Sequence, residues 1–282
     1  MNMEKEMQPA VAAKMSKRLI TIANMLSDSS EEVLDNNTLS ETMHQKGGYS
    51  HNRVADVGCD HGYISIYLVQ SGIAKSAIAM DVRKGPLMGA QSNVKGYGLE
   101  NSIETRLSDG LKELKPGEAD SLIIAGMGGK LMIRILEDGD SKALGIRTAI
   151  LQPQSELSEF RMYLRDNGYA ILDERVVLED GKYYFPMKVL ISGADDHTFE
   201  QTVSDLIDKT GCDEETAISI CNRYGECNII RKDPLLKSYL EHGMEVGASI
   251  IKGLDEATHP DRYHEVARAN RENEKLFLYL TK

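Results

Sequence analysis

The sequence predicts an α/β chain: a sheet of seven mostly parallel strands covered by helices on both faces, followed by a helical C-terminal domain. Three observations carry this reading. Between residues 53 and 192, short β-like apolar runs alternate with helical segments, the pattern of a doubly covered sheet. The last two runs are separated by Glu179-Asp180-Gly181, which is hairpin chemistry, so the sheet is expected to end in an antiparallel pair. Beyond Gly193 the apolar spacing becomes that of helices alone.

Taken in order, residues 11–26 set Met15, Leu19, Ile22, Met25 and Leu26 at helical spacing, with Lys14, Lys17 and Arg18 on the flank. A short amphipathic helix is expected there. Residues 27–52 are polar and read as a mobile linker, with a short helical stretch near 40–43 and an end at Tyr49. Strands are expected near 53–57, 76–82, 103–107, 121–126, 148–152, 170–178 and 183–191. Helices are expected near 62–71, 85–98, 129–138 and 156–167. The C-terminal helices fall near 199–209, 214–221, 233–254 and 261–280, with Asp233 as N-cap and Pro234 as first helical residue. Leu236, Tyr239, Leu240 and Met244 on one long helix and Tyr263, Val266, Leu276 and Leu280 on the other suggest a helical hairpin. The domain boundaries on this reading are 1–52, 53–192 and 193–282.

Hydrophobic residues make up 41% and charged residues 27%, an ordinary globular composition that can bury a core. No stretch approaches the roughly 18 apolar residues of a membrane span, and the start has no secretory pattern. A cytoplasmic monomer is expected. Cys59, Cys212, Cys221 and Cys227 form no C-x-x-C and no zinc-like pattern with the histidines, so they read as free thiols and no metal is expected. The net charge of −11 argues against a general nucleic-acid binder. Most of that acidity lies in residues 191–282, with 11 basic against 18 acidic side chains, which leaves room for a local basic surface further forward.

The strongest local signal is Asp56-Val57-Gly58-Cys59-Asp60-His61-Gly62, directly after the first strand and opening a helix. Glycine at 58 allows a sharp turn and a close ligand, as in other βα nucleotide loops. Asp81 closes the second strand, where a carboxylate can accept both hydroxyls of a ribose. Ser108-Asp109-Gly110 follows the third strand, and a carboxylate there suits an adenine amino group. Ala125-Gly126-Met127-Gly128-Gly129 follows the fourth. All four lie at C-terminal strand ends, the edge where open α/β sheets bind ligands. Together they describe an adenosine-bearing ligand. The diphosphate of NAD would meet Asp56 and Asp60, whereas S-adenosylmethionine brings a sulfonium and an ammonium to the same acids.

At this point the chain resembles a known family. Ser16-Lys17-Arg18-Leu19, ADVGCDHGYISIYLV (55–69), AIAMDVRKGP (77–86), SDGL (108–111), IIAGMGG (123–129) and LQPQ (151–154) look like the bacterial tRNA adenine-N1 methyltransferases that modify adenine 22. The resemblance runs from about residue 15 to 192 and continues loosely through Lys232-Asp233-Pro234-Leu235. It implies a Rossmann-like class I methyltransferase domain plus a helical C-terminal domain, S-adenosylmethionine as cofactor and tRNA as partner. It puts cofactor contacts on Gly58, Asp60, His61, Asp81, Asp109, Gly110, Gly126 and Met127, beside Asp56 of the same loop, and phosphate contacts on Lys14, Lys17 and Arg18. Lys84, Lys95, Arg134 and Arg161 are further cations without a special signal. The chain departs from the family in a longer 27–52 segment and in Gln154, where an Asn is usual after Gln-Pro.

The acceptor chemistry is simple. Adenine N1 is unprotonated at neutral pH and the methyl donor is already activated, so placement and exclusion of water are expected to be most of the catalysis. Asp60 is expected as electrostatic partner of the cationic product, with the Met127 and Gly128 carbonyls as the alternative, and Tyr63 as a wall for the unstacked base. Each has a plainer alternative: Asp60 as an N-cap, His61 in a local hydrogen bond, Tyr63 in core packing. Alternative activities on the same residues are a small-molecule or protein methyltransferase, or a non-catalytic module binding S-adenosylmethionine or RNA. Lys17→Ala with Arg18→Ala is expected to weaken RNA binding and spare cofactor binding.

Overall fold

The structure is a computed structural model that describes residues 10–27, 51–191 and 197–282. The linker expected over 27–52 falls almost wholly outside the described residues, as do the helical stretch near 40–43 and Tyr49. The helix expected over 11–26 is two pieces, a 3₁₀ turn (Ala10–Lys14) and α1 (Lys17–Asn24). Ser16 breaks the run: its backbone is extended and its hydroxyl accepts from the Leu19 amide at 3.4 Å, the N-cap geometry serine favours.

The sheet strands are β1 (His51–Val57), β2 (Ala74–Asp81), β3 (Ile103–Leu107), β4 (Ser121–Met127), β5 (Thr148–Pro153) and β6 (Ala170–Glu174). A small ribbon, β7 (Val177–Glu179) and β8 (Lys182–Tyr184), precedes the last sheet strand, β9 (Met187–Leu190). The order across the main sheet is β3-β2-β1-β4-β5-β9-β6, with β9 antiparallel to both neighbours and the other pairs parallel. Strand order reverses direction between β1 and β4, which opens a crevice at their C-terminal ends. Helices α2 (Tyr63–Gln70) and α3 (Lys84–Gly96) cover one face, α4 (Gly129–Gly139) and α5 (Leu157–Asp166) the other. Alternation along the strands feeds both cores: Ala55, Val57, Ile78 and Met80 pack with α4 and α5, while Val54, Ala77 and Ala79 pack with α2, α3 and the N-terminal segment.

Two expected strands, 170–178 and 183–191, are each broken in the middle. Their inner parts, β6 and β9, pair within the sheet, and their outer parts form the separate β7–β8 ribbon. Pro186 has no N–H to give a ladder, and Val176 and Phe185 turn into the core of the helical region. The turn itself matches expectation, with Asp180 and Gly181 both at positive φ (49° and 74°), as a two-residue hairpin requires.

The C-terminal region holds α6 (Thr198–Thr210), α7 (Glu214–Tyr224), α8 (Glu226–Arg231), α9 (Pro234–Gly253) and α10 (Pro260–Thr281), of which α8 was not expected. Asp233 caps α9 by accepting from the Leu235 amide at 2.8 Å, and α9 and α10 pack as a hairpin. Leu236, Leu240, Val266 and Leu276 are buried in it, while Met244, Tyr263 and Leu280 are half-buried. This region is fastened to the sheet domain by buried charge. Arg161, named above as a possible further cation for phosphate contact, is instead fully buried: its Nε donates to Glu174 at 2.8 Å and its guanidinium to the Asn222 and Arg223 carbonyls of α7.

Candidate active site

The crevice holds a cleft of about 780 Å³ lined by residues from the ends of β1, β2, β3 and β4, by α1 and by the first turns of α2 and α4. Its floor is the loop after β1. Gly58 and Cys59 amides donate to the Met80 carbonyl at 2.8 and 2.9 Å, and the Asp60 amide to Asp81 at 3.4 Å, so the loop is stitched to the end of β2. Gly58 sits at φ +76°, and a Cβ there would fall 2.2 Å from the Met127 methyl group. The Met127 side chain could rotate away, but the left-handed backbone would still strain any other residue.

Asp60 does not cap α2. It has φ +49° and a largely exposed side chain, and Gly62 occupies the N-cap with no side-chain bond. Its carboxylate lines the cleft, with the His61 ring nitrogen 3.8 Å away. His61 is exposed and stacks on Tyr63, with ring centroids 5.6 Å apart. Tyr63 is half-buried, lining the cleft and packing on the core beneath it, so the two readings of this residue coexist.

Asp56 is buried, and burial pushes its carboxyl up to about 6 against the opposing help of the Ser65 hydroxyl, which donates at 2.7 Å, and the Ser65 amide. With the folded pKa above the ordinary value of 3.8, the native chain holds a proton that the unfolded chain releases. This group's contribution to stability therefore falls as pH rises from about 4 to about 6. Ser65→Ala removes a donor to the ionised form. It is expected to cost about 1.5–3 kcal/mol at pH 8 and less than about 1 kcal/mol at pH 5. Chemical unfolding at the two pH values checks this; an equal loss at both would mean that the hydroxyl does not serve the carboxylate.

Asp81 is buried at the end of β2 and accepts from the Arg83 amide at 2.8 Å. Asp109 is half-exposed and held by Lys112 at 2.5 Å, which keeps its carboxyl below the usual range. Gly110 follows at φ +62°. Gly126 is a bulge: the β4–β5 register shifts between Ala125 and Met127, and its φ of +79° suits glycine. The bulge and β5 are locked together by the Gln154 backbone N–H, which donates to the Met127 carbonyl at 2.8 Å.

The three expected phosphate contacts do not form one row. Lys17 is exposed, and Lys14 is exposed with its ammonium 5.4 Å from the Tyr97 ring. Arg18 instead turns into the cleft wall. Its NH1 donates to Gln152 at 2.6 Å, its amide to Glu179 at 3.0 Å, and its guanidinium lies 5.0 Å from the Tyr184 ring. It thereby ties α1 to β5 and to the ribbon. Sequence reasoning passed over Val82, Arg83, Leu131 and Ile135, which also line the cleft. Leu131 and Ile135 share one face of the first turns of α4, a helical spacing that could have flagged them behind the glycine loop. Among the described residues no group of His, Cys, Asp and Glu is placed to hold a metal ion, and no helix is long and apolar enough to cross a membrane.

A family model described as a methyltransferase domain matches residues 46–187. Over 143 residues the chain is 42% identical to the tRNA (adenine(22)-N(1))-methyltransferase of Bacillus subtilis, a match that takes in 51% of this chain and 59% of that relative. The chain thus spans about three fifths of the length of that curated relative. The crystal structure of the B. subtilis M1A22 tRNA methyltransferase has a TM-score of 0.70 at 27% identity, covering 93% of this chain and 98% of its own. The Streptococcus pneumoniae protein Sp1610, in complex with S-adenosyl-L-methionine, has a TM-score of 0.69 at 25% identity, covering 93% of this chain and 99% of its own.

Proposed function

The chain belongs to the methyltransferase-domain family, and on that premise we propose that it methylates N1 of adenine 22 in tRNA with S-adenosylmethionine. The observation that carries the cofactor half is the acidic end of the cleft, where Asp56, Asp60 and Asp81 converge around a loop stitched to β2. Those carboxylates would repel a diphosphate and suit a cationic ligand with a ribose. The S-adenosylmethionine complex of the S. pneumoniae protein supports the same ligand. The B. subtilis relative's named activity supports the acceptor.

S-adenosylmethionine, when bound, supplies a methyl group activated on sulfur. Asp81 is the group to accept the ribose hydroxyls, with Gly58, Asp60 and His61 along the loop, Asp109 and Gly110 at the adenine end, and Gly126 and Met127 at the far side. Adenine N1 keeps its lone pair at neutral pH, so no side chain has to remove a proton, and the work of the site is alignment and exclusion of water. Tyr63, backed by His61, offers a ring face to a base taken out of its stack. The Asp60 carboxylate offsets the positive charge that the ring gains. The Met127 and Gly128 carbonyls already accept from Gln154 and Met132, which leaves them a smaller part.

The test is transfer of labelled methyl from S-adenosylmethionine to unmodified bacterial tRNAs, followed by digestion and mass spectrometry. N1-methyladenosine at a single position is the expected product. Cofactor binding without transfer to tRNA would point to another acceptor or to a non-catalytic module. For RNA contact, Lys17→Ala, which lies outside the cleft lining, is expected to weaken tRNA binding and lower the salt slope by about 1, with cofactor affinity unchanged. Arg18→Ala differs in kind, because the side chain is part of the cleft wall. It is expected to lower turnover at saturating tRNA, and an effect confined to tRNA affinity would return Arg18 to the phosphate set.

A further inference from the structure

On the reading above the cofactor runs from the β1 loop past the β2 and β3 ends to Gly126 and Met127 after β4, which leaves the β5 side of the cleft, with Gln154, for the acceptor base. The polar groups there differ in what they have left to offer. Gln152 is buried, its oxygen accepting from Arg18 at 2.6 Å and its nitrogen donating to the Pro153 carbonyl at 2.9 Å. The Ser16 hydroxyl oxygen accepts from the Leu19 amide at 3.4 Å at the start of α1, and the Arg18 guanidinium can only donate, so neither presents the paired donor and acceptor of a primary amide. Gln154 lines the cleft, is exposed, and its side-chain amide makes no hydrogen bond with the described residues. Its backbone is fixed by the bond to Met127, and its Nε2 hangs 3.7 Å from where a Cβ on Gly126 would stand. The missing Cβ leaves the space beside that amide open.

Methylation at N1 constrains recognition. The attacking nitrogen must be bare, so an adenine cannot be held at N1, and the N6/N7 edge is the one left that carries both a donor and an acceptor. A primary amide matches that edge, its N–H donating to N7 and its oxygen accepting from the N6 amino group, while guanine presents two acceptors there. We propose that Gln154 is a specificity-determining residue that reads the N6/N7 edge of the acceptor adenine. This inference rests on the adenine-N1 reading of the preceding subsection.

The test uses the full chain and two tRNAs, identical except for adenosine or 7-deazaadenosine at the methylated position. The wild type is expected to lose about 3- to 10-fold in kcat/KM on the 7-deaza substrate, which lacks the N7 acceptor. Gln154→Ala is expected to lose about 10- to 100-fold on the adenosine substrate and to show no further loss on the 7-deaza one. Gln154→Glu keeps the acceptor for N6 but faces N7 with oxygen, so its preference should level or invert. Unchanged cofactor affinity in both variants, measured by calorimetry, separates base reading from a general disturbance of the cleft. Equal wild-type turnover on the two substrates, or the same 7-deaza penalty in Gln154→Ala as in wild type, would overturn the assignment while leaving the methyltransferase reading intact. No transfer by the wild type to the adenosine substrate would overturn both.

Discussion

Asp81→Ala is expected to weaken binding of S-adenosylmethionine by roughly 100-fold or more and to remove methyl transfer at ordinary cofactor concentrations. The magnitude comes from losing charge-assisted hydrogen bonds to ribose hydroxyls, each worth about 1.5–3 kcal/mol when the acceptor is ionised. The structure adds a second loss. Asp81 also accepts from the Asp60 and Arg83 amides, so its removal frees the loop that forms the cleft floor. Asp81→Asn separates the two: one oxygen remains for the loop while the charge is gone, and an intermediate affinity is expected. Calorimetric titration with S-adenosylmethionine measures this, and near-native affinity in Asp81→Ala would move the ribose site elsewhere in the cleft.

Glu174→Ala is expected to destabilise the fold by about 3–5 kcal/mol, because it leaves the Arg161 cation buried without its counter-charge. Arg161 and Glu174 are both inaccessible to solvent, and one guanidinium nitrogen of Arg161 has no hydrogen-bond partner among the described residues. Burial pushes the Glu174 carboxyl upward, and the neighbouring Arg161 guanidinium opposes that shift by favouring the charged form. The same carboxylate accepts from the Cys227 amide, and Arg231 reaches both the Glu174 carbonyl and Asp173. The pair therefore holds β6, α5, α7 and α8 in one joint. Unfolding in guanidinium chloride should show a lower midpoint with little change in slope. Replacing both partners, Arg161→Met with Glu174→Leu, is expected to recover only part of the loss: no buried charge is left unpaired, but the Asn222 and Arg223 carbonyls and the Cys227 amide each lose a hydrogen bond. A loss below about 1 kcal/mol in the single variant would mean that water reaches the joint.

What the sequence determined is what depends on near neighbours. The apolar alternation that makes β1, β2 and β4, the glycine at 58 that turns the loop, the Asp180-Gly181 hairpin and the Asp233-Pro234 start of α9 are written in adjacent residues, and all stand where expected. So does the gathering of Asp56, Asp60, Asp81, Asp109, Gly126 and Met127 around one cleft, because a parallel sheet brings its strand ends to one edge.

The tertiary structure decided what local signals leave degenerate. Lys17 and Arg18 are adjacent cations on one helix, yet one is exposed and the other is drawn into the wall by Gln152 and Glu179 from distant strands. Gln152 and Gln154 flank the same proline, yet the first is spent on Arg18 and the second is left to the cleft. Arg161 reads as an ordinary helical cation until α7 is laid across it. A polar side chain carries no mark of its partner in the sequence. Burial makes an unpaired polar group costly, and the packed fold alone determines which groups are buried and what lies within hydrogen-bonding distance of them.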